Sequence, residues 1–435
     1  MQTANLIGGE WVRAASGKTL RVTDPATDEL VGETPSLGAG EVRQAIDAAN
    51  GAWGLWRAKT AGERGALVRR LGELMRRDAE RLARLMTSEQ GKPLAESRGE
   101  IEYAVSFLEW AAEEGKRLDG DIIPASTTSK RILVIRQPVG VAAIITPWNF
   151  PSAMITRKLG PALACGCTVV IKPAEDTPLS AIAIGELAVE AGIPAGVVNI
   201  VTGDAATIGD AFFEDDRVRK LSFTGSTEVG RLLMGKAARN LMRLSMELGG
   251  HAPFIVFDDA DLDKAVAAAV ACKVRTAGQT CICANRFYVQ GGIYDAFMAR
   301  FAKAIEGLKV GRGTAEGCRS GRSSTTRRSR RWSVTLRTRK SGGKVMVGGS
   351  RVRIQGLADR FYAPTLIDGM TPEMLVHREE TFWPGRGGAS VHERGRGGGV
   401  GERLGVWARV VLLHAGRLAP DPGRGGPGVR DRGGE

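Results

Sequence analysis

The stretch VGVAAIITPWNFPSAMITRKLGPALACGCTVVIKPAEDTP, residues 139–178, decides the architecture. Val141–Thr146 is a short run of Val, Ile and Ala with no polar alternation, the pattern of a strand buried on both faces. Ala153–Ala164 repeats apolar residues every three or four positions, as a helix does, and Thr168–Lys172 is another buried-strand run. The alternation continues with helix Leu179–Ala191, strand Val197–Thr202, helix Ala205–Phe213, strand Arg219–Phe223 and helix Thr227–Arg239. Such a pattern predicts a doubly wound α/β fold, a parallel sheet with helices on both faces.

Outward from this region, two short strands turn at Gly8-Gly9, and helical periodicity runs through Gly40–Trp53, Ala61–Glu89 and Arg98–Arg117. Arg131–Arg136 reads as a strand. Downstream, strand Pro253–Phe257, helix Asp261–Val274 and strand Arg286–Gln290 open a second α/β unit. The 435 residues are enough for two or three domains with a large core. No apolar run approaches the ~20 residues needed to cross a bilayer. Met1–Glu10 lacks a basic head followed by an apolar stretch, so a cytoplasmic location is the expectation.

The formal charge of +13 is local. Residues 318–341 hold nine Lys or Arg and no acid, and residues 383–435 hold nine Arg against five acids, so these two segments account for the whole excess. Neither carries a hydrophobic period, apart from a short strand pattern at Val406–Leu413. A Gly/Arg-rich tail suits nucleic acid, but only Trp383 and Trp407 supply the aromatics such tails interleave, and no nucleic-acid partner is expected. Out-of-frame translation of a GC-rich gene accounts for both segments: a paired slip near 317 and 341, and one slip after Phe382. An intact mass of the protein and a reading of its coding DNA test this.

Six cysteines in so long a chain make no disulfide framework, and with four histidines they show no zinc spacing, so no metal is expected. Five short motifs stand in order: Thr146-Pro-Trp-Asn-Phe-Pro151, Lys172-Pro-Ala-Glu175, Phe223-Thr-Gly-Ser-Thr227, Glu247-Leu-Gly-Gly250 and Gly278-Gln-Thr-Cys281. Read alone, Cys281 could be a buried inert thiol, Asn149 a turn residue before Pro151, and Glu247 a surface carboxylate at a strand end. Cys281 nevertheless follows Gly278-Gln279 on a loop between a helix and a strand, where a thiol can be exposed and lowered in pKa. Asn149 follows an apolar strand directly, at the carboxyl end where open parallel sheets bind ligands. No G-x-G-x-x-G follows the first strand of the alternation; instead Gly225 and Ser226 open a helix, with Gly230 one turn in, and its amides can face a pyrophosphate.

Together the five motifs resemble the aldehyde dehydrogenase superfamily, over roughly residues 5–317 and 342–382. Met154–Lys158, Lys172–Pro178 and Gly278–Arg286 are most similar to the succinate-semialdehyde type. The resemblance implies Cys281 as nucleophile, Asn149 with the Cys281 amide as oxyanion donors, and Glu247 as general base. It implies cofactor contacts from Trp148, Lys172, Glu175, Gly225, Ser226, Gly230, Glu380 and Phe382, with NAD or NADP as cofactor. Glu175 leans this towards NAD, because a carboxylate accepts from a ribose 2′-hydroxyl and repels a 2′-phosphate. After Phe382 the family has Gly-Pro, whereas Trp383-Pro384 stands here.

Arg157 and Arg275 match the family's contacts to the distal carboxylate of a succinate- or glutarate-semialdehyde substrate, a role that suits arginine; on residues alone they could be surface arginines on helices. Cys283 resembles the partner of a redox disulfide, though a one-residue gap strains that ring. The implied domains are a cofactor domain at 1–117 and 139–246, a partial oligomerisation arm at 118–138, a catalytic domain at 247–382, and a non-domain tail at 383–435. The family's C-terminal part would be missing, leaving the homo-oligomeric assembly and the activity of this chain in question. An inactive dehydrogenase remnant is the competing reading.

Overall fold

The structure, a computed structural model, describes residues 2–318 and 343–371, with Met374, His377, Glu380 and a strand at 412–418. Two strands, β1 (Asn5–Ile7) and β2 (Glu10–Val12), turn at Gly8-Gly9 as expected. A hairpin of β3 (Thr19–Thr23) and β4 (Leu30–Pro35) follows, which the sequence reading lacked. Next come α1 (Ala39–Ala58), α2 (Ala61–Arg77), α3 (Ala79–Gln90) and α4 (Leu94–Glu114).

The single helix expected over Ala61–Glu89 is two. Asp78 leaves helical geometry with ψ 15°, and its carboxylate pairs with Arg77 at 2.8 Å and Arg81 at 2.9 Å. Helix α2 starts on a reciprocal cap, in which Thr60 Oγ1 accepts from the Glu63 amide and Glu63 accepts from the Thr60 amide at 2.7 Å. Helix α3 stops at Gly91, whose φ of 91° a residue with a Cβ rarely adopts.

A hairpin of β5 (Asp121–Ile123) and β6 (Ile132–Val134) stands away from the body, with Ile122, Leu133 and Ile135 exposed. The alternating region then runs β7 (Val141–Ile145), α5 (Ala153–Ala164), β8 (Thr168–Lys172), α6 (Pro178–Glu190), β9 (Val198–Ile200), α7 (Ala205–Glu214), β10 (Val218–Thr224), α8 (Thr227–Ala237) and β11 (Arg243–Glu247). Strand β11, absent from the sequence reading, alternates exposed and half-buried residues because it lies at the sheet edge.

These strands form a seven-stranded sheet in the order β11-β10-β7-β8-β9-β1-β2, parallel from β11 to β9. Side chains alternate across it. Ala142, Ile144, Val169 and Ile171 meet α2, α4, α5 and α6 in one apolar core. Val141, Ala143, Val170 and Leu221 meet α1, α7 and α8 in another. Burial on both faces explains why these strands read as unbroken apolar runs, and each such Val or Ile contributes on the order of 2 kcal/mol.

The second unit holds β12 (Pro253–Val256), α9 (Leu262–Val274), β13 (Arg286–Gln290), α10 (Tyr294–Glu306), β14 (Lys344–Val347), the pair β15 (Arg351–Val352) and β16 (Phe361–Tyr362), β17 (Thr365–Asp368) and β18 (Leu412–Leu418). Its sheet order is β12-β13-β18-β17-β14, packed on Phe287, Phe297, Phe301 and Leu366. Of the strand pattern at Val406–Leu413, residues 406–411 lie outside the described residues, and Leu412 and Leu413 begin β18, which runs parallel between β13 and β17. The Arg-rich stretch from 319 to 341 and the rest of the tail lie outside the described residues.

Candidate active site

Strand order reverses at β7: the chain builds outward to β8 and β9, then returns to place β10 and β11 on the other side. In open α/β sheets the crevice beyond the strands' carboxyl ends at such a point is where ligands bind. Register aligns those ends, pairing Ile145 with both Lys172 and Phe223, and Thr224 with Glu247. Four of the five motifs therefore leave the sheet at one edge.

The first is the Asn149 loop. Trp148, Asn149 and Phe150 are all buried, Asn149 to 2% exposure. Its Nδ2 donates to the backbone carbonyl of Gln279 at 2.8 Å, while its backbone carbonyl accepts from Lys92 Nζ at 2.7 Å. An amide has two N–H bonds, so anchoring one on Gln279 leaves the second to point elsewhere.

The fifth motif reaches this edge from the second unit. After α9 the chain passes through Thr276 (φ 52°), Ala277 (φ 52°) and Gly278 (φ 76°), three successive left-handed residues. A β-branched residue there is strained, and such strain persists only where surroundings over-determine it. Here the Glu96 carboxylate of α4 accepts a short hydrogen bond from the Thr276 amide. Burial pushes the Glu96 carboxyl above its ordinary range, against the lowering effect of that bond.

Cys281 follows, half-buried in a turn. Cys283 points away into the interior, donating to the Thr280 carbonyl at 3.4 Å and lying 3.6 Å from Lys273 Nζ. None of the six cysteines is in a disulfide. Among the described residues no cluster of three His, Cys, Asp or Glu could hold a metal, and no helix is long and apolar enough to cross a membrane.

Glu247 ends β11 with its side chain exposed, as a strand-end carboxylate. What the sequence did not single out is Lys158 on α5. It is buried, pushed down to about 8 by that burial, and the Glu247 charge is the chief influence holding it up. A lysine following Arg157 gives no local sign that it turns inward.

At the end of β8, Lys172 Nζ pairs with Glu175 at 2.7 Å and donates to the Pro173 carbonyl at 3.1 Å. The loop beyond is seated by Glu89, whose carboxyl accepts from the Leu179 and Ser180 amides at 2.8 and 2.9 Å and is pushed up to about 7 by burial. Ser226 caps α8, its hydroxyl accepting from the Val229 amide at 3.2 Å. A Cβ on Gly225 would strike the Phe223 ring, and one on Gly230 would strike Leu248, so backbone approaches closely where the helix begins. Glu380 comes from the far end of the second unit to lie directly on Gly249. Phe382, the remaining expected contact, lies outside the described residues. A helix N-terminus with bare glycine backbone suits a dinucleotide's phosphates, and a buried lysine paired with a half-buried carboxylate suits its ribose hydroxyls.

The two arginines gather on α4. The Arg157 guanidinium sits 5.0 Å from the Phe107 ring, and that of Arg275 lies 5.7 Å from Tyr103 and 5.4 Å from Phe150. Tyr103 and Phe107 themselves meet with their rings tilted at 57° and centroids 4.6 Å apart. This aromatic pair went unnoticed in the sequence because it is spaced like any helix face.

Comparison with known proteins agrees with this geometry. The model of the aldehyde dehydrogenase family matches residues 11–384. A Pseudomonas putida glutarate-semialdehyde dehydrogenase is 53% identical over 379 residues, covering 87% of this chain and 78% of that protein. An Escherichia coli succinate-semialdehyde dehydrogenase, whose name specifies NADP(+), is 52% identical with the same coverage. The crystal structure of a Brucella melitensis aldehyde dehydrogenase superposes with a TM-score of 0.88 at 47% identity, over 97% of this chain and 81% of that one. A shared fold, five motifs meeting at one sheet edge and identity near one half over most of the length place this chain in the aldehyde dehydrogenase family.

Proposed function

We propose that the chain oxidises a short aldehyde bearing a carboxylate at its far end, using a nicotinamide dinucleotide. The observation that carries this is the tie between Asn149 and Gln279, which holds a buried amide donor two residues from Cys281. The Cys281 sulfur adds to the aldehyde carbon, and the second Asn149 N–H with the Cys281 amide receives the negative charge that builds on oxygen. The chemistry a bound nicotinamide supplies is acceptance of the hydride. Glu247 takes a proton from the water that hydrolyses the acyl group on Cys281, and the acid leaves.

Arg157 and Arg275, held against Phe107, Tyr103 and Phe150, pair with the distal carboxylate. The named relatives act on four- and five-carbon semialdehydes, and both are candidate substrates here. Lys172 and Glu175 receive the adenosine ribose, with Glu175 favouring NAD. Glu380, Gly225, Ser226, Gly230 and Trp148 complete the dinucleotide contacts.

Turnover of succinate and glutarate semialdehyde with NAD and NADP, by wild type and Cys281→Ser, tests the reading. Loss of all aldehyde oxidation in Cys281→Ser is expected; undiminished oxidation would overturn it.

A further inference from the structure

One short segment, Glu89–Glu100, supplies six buried or half-buried polar residues, and the proposed chemistry uses none of them. Lys92 and Glu100 form an ion pair with both side chains 1% exposed. Burying two charges is unfavourable unless further hydrogen bonds surround them. Those bonds all fall on one stretch. Lys92 Nζ also donates to the Asn149 carbonyl and stands 4.3 Å from the Phe150 ring. The second Glu100 oxygen accepts from the Ser152 and Ala153 amides at 2.9 and 3.1 Å, serving as the cap that Ser152's own side chain does not provide for α5. The pair therefore grips Asn149 through Ala153.

Glu96 stands four residues before Glu100, on the same face of α4. Its carboxylate holds Thr276, the first of the left-handed residues leading to Cys281. One helix face thus grips the loop of the oxyanion donor with Glu100 and the loop of the nucleophile with Glu96.

We propose that Glu96 and the Lys92–Glu100 pair are positioning residues that fix Asn149 relative to Cys281, so that the amide meets oxygen only as the thiol adds to carbon. The proposal rests on the functional reading above. It locates the accuracy of the oxyanion site in a helix that touches no reacting atom.

A double-mutant cycle on the full chain tests it, reading the pre-steady-state burst of reduced cofactor and KM for the aldehyde. Lys92→Met keeps the aliphatic stem and removes the donor to Asn149. It should slow the burst about 10- to 100-fold, less than removing Asn149 itself, with KM changed less than about threefold and Lys92→Arg partly restoring the rate. In an Asn149→Ala background the same substitution should add almost nothing, because Lys92 acts through Asn149. Equal slowing in both backgrounds, or a wild-type burst in Lys92→Met, overturns the proposal. A wild-type burst in Asn149→Ala overturns instead the functional reading on which it rests. Should Lys92→Met fail to fold, Glu96→Gln carries the same test: it weakens the hold on Thr276 without emptying the core, and a burst indistinguishable from wild type counts against the proposal.

Discussion

Asn149 Nδ2 lies 2.8 Å from the carbonyl oxygen of Gln279, joining a loop of the first sheet to a loop of the second. The contact spans 130 residues of sequence and ties the proposed electrophile-binding amide to the turn that bears Cys281, the proposed nucleophile. It holds the amide and the turn that bears the thiol to each other.

Replacing Asn149 by alanine removes that link and the proposed oxyanion donor at once. The expected loss in kcat is about 10²- to 10³-fold. Steady-state kinetics on the purified chain measures it, and a loss below tenfold would mean the amide does not serve the transition state.

Arg157→Gln should raise KM for succinate or glutarate semialdehyde by about tenfold or more, the scale of one lost charge-assisted hydrogen bond. An aldehyde of equal length without the carboxylate should show no such change. Parallel loss on both aldehydes would place Arg157 in folding rather than recognition.

Glu175→Ser removes the carboxylate that pairs with Lys172. With the repulsion of a 2′-phosphate gone, the ratio of kcat/KM for NADP over NAD should rise by about tenfold. An unchanged ratio, measured with one aldehyde at saturation, would remove Glu175 from cofactor choice.

Lys158 makes stability depend on alkaline pH. Its folded pKa of about 8 lies below that of an unfolded lysine, so between about 8 and 10.5 the unfolded chain binds more protons. Its burial penalty is full below 8 and fades as pH rises through that window. Relative to Lys158→Met, the wild type should gain roughly 2 to 3 kcal/mol across it. Urea titrations of both proteins at pH 7.5, 9 and 10.5 read the difference directly; a constant gap would show that Lys158 is not buried in its charged form.

Much of the fold was legible because helical spacing and short unbroken apolar runs are written into neighbouring residues. Helix Ala153–Ala164 and strand Thr168–Lys172 stand where their apolar spacing put them. Strand β11 was not legible, because an edge strand with one half-buried face carries little apolar signal. The break between α2 and α3 at Asp78 was not legible either, because apolar residues keep helical spacing on both sides of it. The proposed chemical residues were readable as motifs. Their neighbours Lys92, Glu96, Glu100 and Lys158 were not, since a charged residue normally faces water.

The sequence by itself determined the α/β alternation, the loop that bears Cys281 and the order of the motifs, all of which follow from local spacing. Only the tertiary structure decided that Lys92 and Glu100 turn inward on Asn149, that Glu96 meets Thr276, and that Arg157 and Arg275 converge on one aromatic pair. Whether a charge faces solvent or a buried partner depends on what another part of the chain brings to it. That information lies in the packing of distant segments, not in any residue's neighbours along the chain.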